Sequence, residues 1–202
     1  ESFKLTINTS EQGGYIFYTM DGSIPSYTLT DQPNGSTFLY TKSITITDKS
    51  GDPNQFAAIE ASKSQPYLPP NTIRKGTIIR ALVVNANGEP SPVVTKFYLV
   101  EEEIASQYTF PVVSIISPPE GLFSDEMGIY VPGDLYRDEN PVEWSNPANY
   151  RQKGAKSERP AYFQLFNTQY ELLMEQNISL RIHGNASRAF AQKSLRLYSG
   201  GL

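Results

Sequence analysis

Short runs of alternating polar and apolar residues, each closed by a glycine or proline turn, constrain the fold of this chain most strongly. The first half contains "SFKLTI", "GGYIFYT" and "FLYTKSITIT", and the second half contains "RPAYFQLFN" and "NISLRIHG". Period-2 alternation predicts half-buried strands, because successive side chains of a strand point to opposite faces of a sheet. The 15 Pro and 14 Gly leave little room for long helices. We therefore expect a mainly β fold.

The strand signals divide the chain into two modules. Six or seven short strands with regular turns before residue 100 predict an immunoglobulin-like β-sandwich over residues 1–100. The charged run "EEEIASQ" breaks the pattern and predicts a linker over residues 101–109. Residues 110–202 then form a second module made mostly of strands, with one helical turn at "EGLFS" and a further strand at "GIYV". Within the first module, residues 51–71 predict a long loop with a short strand around Phe56 to Glu60.

Charge and cysteine content exclude several kinds of site. The net charge is −4, the isoelectric point is about 5.1, and no basic run occurs along the chain, which argues against a nucleic-acid partner. The chain has no cysteine, so it forms neither a disulfide nor a thiolate zinc site. No apolar run approaches the length of roughly 18 residues that a membrane span needs.

The acidic residues give no convincing catalytic or metal site. Asp21 is explained by its turn, and no second carboxylate stands at a spacing that suggests a glycosidase pair. The polar loop 133–158 could supply calcium ligands, but it lacks the order of an EF-hand and a solvated loop is the favoured interpretation. Its acidic side chains are Asp134, Asp138, Glu139 and Glu143.

The stretch "LRIHGNASRAFAQKSLRLYSGGL" is the most informative part of the second module. On its second strand Lys193 shares a face with Leu195 and Leu197, so its ammonium group either reaches out to solvent or points into a cleft that holds an anion. The turn before it offers anion donors in Gly184, Ser187 and Arg188. Two interpretations stay open: a plain hairpin that closes a sheet, or part of a phosphate site. His183, the only histidine, is expected to face solvent.

Two segments of the first module carry a resemblance to a known family. "YTMDGSIPS", from Tyr18, and "TIIRALVVNANGEPSPVVTKFY", over Thr77 to Tyr98, resemble the β-sandwich module at the C-terminus of chitobiases and β-hexosaminidases. In those proteins the module is an accessory to the catalytic domain. The resemblance implies no catalytic residue here. Exposed tyrosines could stack on sugar rings, but Tyr15, Tyr18, Tyr40 and Tyr98 are better interpreted as strand residues half in the core.

The second module resembles the start of the CotH family, the spore-coat protein H-like proteins related to atypical secretory kinases. Three ordered blocks carry the resemblance: "PVVSIISPPEGLFSDEMGIYVPG", "NYRQKGAKSERPAYFQLFN" and "SLRIHGNASRAFAQKSLRLY". It implies the N-terminal part of a kinase-like α+β fold that binds ATP and Mg²⁺ and phosphorylates serine on surface proteins. The nucleotide-binding candidates that match the family pattern are Arg181, Gly184, Ser187, Arg188, Lys193 and Ser194.

Phosphoryl transfer also needs carboxylates for the metal and for the hydroxyl proton, and kinase-like folds place them well after the lysine strand. We therefore expect an inactive fragment without catalytic residues, which needs no cofactor itself, from a longer extracellular or cell-surface bacterial protein. Its partner is a surface or coat protein substrate, or a glycan. A non-catalytic adhesion protein is the alternative. An incomplete sheet also leaves edges through which copies could associate.

Overall fold

The computed structural model describes residues 2–28, 33–65, 67–71, 73–100 and 109–200. The chain forms two compact units, one of Glu1–Asp52 and Arg74–Phe110, the other of Pro53–Ile73 and Pro111–Leu202. Antiparallel strands dominate both units, which confirms the mainly β class. Residues 101–108, nearly all of the expected linker, lie outside the described residues.

The first unit contains three antiparallel sheets in its described part. The strands are β1 (Ser2–Leu5), β2 (Tyr15–Thr19), β3 (Ser26–Tyr27), β4 (Pro33–Asn34), β5 (Phe38–Leu39), β6 (Ile44–Thr47), β7 (Thr77–Val84) and β8 (Val94–Tyr98). The largest sheet has the order β5-β2-β7-β8, while β1 pairs with β6 and β3 pairs with β4.

Apolar side chains cover both faces of the largest sheet, as in a sandwich. Ile44 and Ile46 of β6 pack against Ile79 of β7 on one face. On the other face the buried Phe17 stacks on Tyr27 with 5.4 Å between ring centres. The half-buried positions expected for three of the tyrosines are confirmed, whereas the side chain of Tyr15 is exposed. The sandwich thus follows directly from strand alternation.

The turn after β2 is fixed by Asp21, as its sequence context predicts. Its carboxylate accepts hydrogen bonds from the Ser23 N–H at 2.9 Å and from the Ser23 hydroxyl at 2.5 Å. A carboxylate that bonds the backbone two residues on is a common way to stabilise a tight turn. Asp21 is therefore a structural residue.

The second unit is built on one antiparallel meander. It comprises β9 (Val112–Ile116), β10 (Arg159–Phe166), β11 (Leu172–His183) and β12 (Ser194–Ser199), paired in the order β12-β11-β10-β9. The predicted helical turn is present as α1 (Pro119–Phe123), which is the only α-helix among the described residues. Short 3₁₀ helices lie at Phe56–Ala58, Glu143–Ser145, Asn149–Arg151, Ala155–Ser157 and Ala186–Ala189.

The core of this unit lies on one face of the meander. Ile178, Leu180 and Ile182 of β11 point into it, as the alternation predicts, and Leu122 of α1 packs against them. The intervening side chains of β11 near the turn, including Arg181 and His183, therefore lie on the opposite face. This division decides where the candidate residues sit.

The strand predicted at "GIYV" is wrong, although its alternation is real. The N–H of Ile129 donates to the carbonyl of Gly121 at 3.1 Å, and that of Tyr130 donates to Leu122 at 2.8 Å. The segment is thus hydrogen-bonded to α1 rather than to a neighbouring strand. Ile129 and Val131 are nevertheless buried, so apolar side chains alternate here in irregular backbone.

The segment Pro53–Ile73 packs with the second unit although it lies between β6 and β7 in sequence. Its expected strand is a 3₁₀ helix, Phe56–Ala58, and Phe56 stacks on Phe123 at 4.9 Å. We call residues 53–73 the inserted segment.

Candidate functional site

Lys193, just before β12, lies in a cage of backbone carbonyls and aromatic rings. Its Nζ atom donates to the carbonyl oxygens of Phe190 at 2.6 Å and Ala61 at 2.7 Å. The same atom lies 4.5 Å from the centre of the Tyr150 ring and 5.3 Å from that of Tyr130. Two N–H groups of the ammonium are thus bound to carbonyls, and the ring faces give further favourable contacts for the positive charge.

Burial changes the acidity of this lysine. Removal from water lowers the pKa of Lys193 from 10.5 to about 8, and the charge of Glu143 only partly opposes this effect. A lysine whose charge is destabilised by burial, on a fixed element beside a cleft, is typical of functional sites. The structure thus places the Lys193 ammonium beside a cleft, and its role toward an anion stays a prediction.

Glu143 lies next to this cage and binds the inserted segment. Its carboxylate accepts hydrogen bonds from the N–H groups of Ser64 at 2.6 Å and Lys63 at 2.7 Å, and from the Tyr150 hydroxyl at 3.0 Å. Burial alone would raise the pKa of Glu143, but these hydrogen bonds outweigh it and the pKa is lowered. The pKa of the Tyr150 phenol is raised, first by burial and then by the charge of Glu143. Glu143 is thus anchored and does not belong to a solvated loop.

An apolar pocket of about 670 Å³ borders the lysine cage. Ala61 and Tyr130, which contact the Lys193 ammonium, also line this pocket, and Leu180 and Leu195 form part of its wall. The volume is in the range of pockets that hold small organic ligands, roughly 300 to 1,000 Å³. The inserted segment supplies one side of the pocket through the residues around Phe56.

The turn residues Gly184 and Arg188 have defined structural roles, and Ser187 lies between them against Gly184. Gly184 has a φ of +113°, and a Cβ atom there would collide with the Ser187 hydroxyl. The buried Arg188 guanidinium donates to the carbonyls of Gly184 at 2.7 Å, Gln152 at 3.0 Å and Tyr150 at 3.3 Å. These bonds hold the turn against the 3₁₀ helix Asn149–Arg151 and fix the backbone of Tyr150, whose ring contacts the Lys193 ammonium.

Arg181 lies away from Lys193. Its guanidinium forms an ion pair with Glu158 and lies 4.8 Å from the centre of the Tyr198 ring. The six candidates are therefore not gathered at one point: Lys193 contacts Tyr130, which packs against the core, whereas Arg181 lies on the outer face of the sheet with His183. His183 is exposed, as predicted.

Sequence reasoning missed Glu143, Tyr130 and Tyr150 as neighbours of Lys193. Each is separated from Lys193 by more than 40 residues, and no motif links them. The run from Glu143 to Tyr150, which contains the only tryptophan, was the available signal. Within the described ranges no group of three or more His, Asp or Glu residues could hold a metal ion, and no helix has the length and apolarity to cross a membrane.

Comparison with protein-family models gives a match to the first half of the chain. The family model described as "Fn3 associated" matches residues 5–98, which span most of the first unit and the inserted segment. This match supports a non-catalytic accessory β-sandwich related to chitobiase-type modules. Searches of curated proteins and of solved structures give no significant match. The resemblance of residues 110–202 to CotH proteins lies outside the matched range and stays a prediction.

Proposed function

We propose that the second unit is the N-terminal part of a CotH-like, kinase-type module and that the pocket beside Lys193 receives a nucleotide. The observation that carries this proposal is the half-buried Lys193 ammonium at the border of an apolar pocket of about 670 Å³. The pocket would take the base and sugar. The third N–H of Lys193 would donate to a phosphate oxygen, as a strand lysine does in kinases.

The longer protein would use ATP and Mg²⁺ to phosphorylate serine on a surface or coat protein, at the bacterial cell surface or outside the cell. In that arrangement the first unit is a non-catalytic accessory. We expect no phosphoryl transfer from these 202 residues, because no ordered set of acidic residues follows Lys193.

The proposal is tested by affinity labelling of the whole chain. An adenosine with an aryl sulfonyl fluoride at its 5′ position should modify Lys193: the neutral amine attacks sulfur, the S–N bond forms as the S–F bond breaks, and fluoride and one amine proton pass to solvent. The lowered pKa makes the neutral amine available near pH 8. Peptide mass spectrometry should find Lys193 labelled in preference to the exposed Lys156, and ATP should suppress the reaction. Labelling that ATP does not suppress, or that favours Lys156, would contradict a nucleotide pocket.

Adhesion or glycan binding by the first unit is the second candidate. An exposed aromatic side chain on β5 favours it: Phe38 is 50% exposed and lies beside its strand partner Tyr18, with 5.4 Å between ring centres. Aromatic faces of this kind stack on sugar rings and other apolar surfaces. Retention by an insoluble polysaccharide that is lost in Phe38→Ala, together with unprotected labelling of Lys193, would support this candidate instead.

A further inference from the structure

The outer face of the second sheet collects positive charge that is scattered in sequence. Residues 151–200 contain eight Lys and Arg but only three Asp and Glu, in a chain whose net charge is −4. The fold brings several of these side chains around one pocket of about 210 Å³. We call it the basic pocket, and its polar lining includes Lys153, Arg181, His183, Arg188, Arg196 and Tyr198. The cluster was not predicted from the sequence, because these basic residues do not form a continuous run.

Strand register places two arginines of the basic pocket directly opposite each other. Arg181 on β11 and Arg196 on β12 are Cα partners in the antiparallel ladder. Like charges at directly opposite positions destabilise a sheet. The carboxylate of Glu158 offsets the charge of Arg181 alone and is also bound by the Ser179 hydroxyl. Among the described residues, Arg196 and Lys153 have no carboxylate partner.

Arg188 adds a third guanidinium at the end of the pocket. Its orientation is fixed by the carbonyls of Gly184, Tyr150 and Gln152, so it needs no ligand to hold its place. Burial lowers the pKa of Arg188, and the charges of Arg151 and Arg196 lower it further. The group is thus in an excess of positive charge, which a bound anion would relieve.

We propose that the basic pocket binds the oxyanion of a phosphate or sulfate group, on the face of the sheet opposite to Lys193. Guanidinium groups donate two parallel N–H bonds to such an anion, and Arg181 and Arg196 flank the space between them. A volume of about 210 Å³ is large enough for a phosphate or a pyrophosphate. The site does not depend on the nucleotide pocket, since the two lie on different faces of β11 and β12.

Thermal unfolding of the whole chain, followed by the fluorescence of Trp144, tests the site. Trp144 is the only tryptophan and lies in the second unit. In chloride, Arg196→Gln should unfold at a higher temperature than the wild type, because the like-charge pair is gone. Pyrophosphate at equal ionic strength should raise the unfolding temperature of the wild type and leave that of Arg196→Gln nearly unchanged. Lys156→Gln, which removes an exposed lysine outside the pocket, should respond as the wild type does.

The order of stabilities should therefore reverse between chloride and pyrophosphate. A wild-type response to pyrophosphate no larger than to chloride, or an equal response in Arg196→Gln, would overturn the proposal. Lys153→Gln is a second variant of the same pocket and should also reduce the rise in unfolding temperature that pyrophosphate causes.

The same assay distinguishes the sources of the anion. Stabilisation by inorganic pyrophosphate and by O-phosphoserine, retained in Lys193→Met, supports an independent oxyanion site whatever the result of the adenosine labelling. Stabilisation by ATP alone, lost in Lys193→Met, would assign the anion to the nucleotide pocket and overturn the proposal.

Discussion

Replacing Lys193 by methionine should remove a specific pH dependence from the stability of the second unit. Methionine keeps an unbranched chain of similar length and removes the titrating amine. The pKa of Lys193 is about 8 in the fold against 10.5 in its ordinary state. Between these values the unfolded chain binds more protons than the folded one, so stability rises with pH in the wild type. Below about pH 8 the ammonium is charged in both states, and the full penalty of burying it is present.

The expected size follows from the two pKa values. A pKa of about 8 in the fold and 10.5 in the unfolded chain gives a gain of about 2 kcal/mol in the free energy of unfolding between about pH 7 and about pH 9.5. Lys193 is only partly buried, so screening by solvent brings our expectation nearer to about 1 kcal/mol. Other titrating groups are present in both proteins and cancel when the wild type is compared with Lys193→Met.

Urea unfolding followed by Trp144 fluorescence measures this pH dependence, because the only tryptophan lies in the second unit. The wild type should gain stability relative to Lys193→Met as the pH rises, while Lys156→Met, which removes an exposed lysine, should follow the wild type. An equal change in the wild type and in Lys193→Met over this pH range would refute the buried-ammonium reasoning. The carbonyls of Ala61 and Phe190 lose their donor at every pH, so that loss shifts the variant's stability without creating a pH slope.

Three further substitutions test the contacts that position the site and the first unit. Glu143→Gln should destabilise the second unit by about 1 to 3 kcal/mol, because the N–H groups of Lys63 and Ser64 lose their charged acceptor. Proteolysis of the inserted segment should become faster for the same reason. The pKa of Glu143 is lowered in the fold, so the stability that its charge contributes is fully present above the ordinary glutamate pKa. It is lost as the pH falls through the lowered pKa of the folded state. The unfolding free energies of the wild type and Glu143→Gln should therefore converge in acid. Gly184→Ala should lower the unfolding temperature seen by Trp144 fluorescence, because φ is +113° and the added Cβ collides; an unchanged temperature would contradict the turn geometry. Phe17→Ala should destabilise the first unit by about 3 to 5 kcal/mol in thermal unfolding followed by circular dichroism, and a loss below 1 kcal/mol would contradict its core position.

Local alternation predicted the strands well because a half-buried strand needs it wherever it lies in the sheet. The same signal failed at "GIYV", where backbone bonds to α1 replaced a strand partner. The loop 133–158 could not be predicted, because its order comes from single polar side chains. Asn149, for example, is fully buried and its amide donates to the carbonyl of Asp125 at 2.7 Å. Contacts of this kind leave no periodic trace in the sequence.

The candidate site was predicted in part for a related reason. The alternation of side chains predicted that Lys193 shares the face of Leu195 and Leu197. Alternation does not predict which residues pack over that face. The carbonyl of Ala61 lies 132 residues away in sequence, in a segment that reads as a surface loop. Sequence reasoning could therefore identify the lysine but not its cage.

The alternation of side chains between the two faces of the sheet also explains why one hairpin supplies two proposed sites of different chemistry. Ile182 and Leu195 are partners on the core face, and their neighbours Arg181 and Arg196 are partners on the outer face. A motif read along the chain mixes the two faces, so Lys193 and Arg181 look like members of one phosphate site. In the folded sheet, Arg181 is paired within the ladder on the outer face, whereas the Lys193 ammonium contacts Tyr130 and the Ala61 carbonyl on the core side. The nucleotide and oxyanion proposals must therefore be tested separately, since each can fail while the other holds.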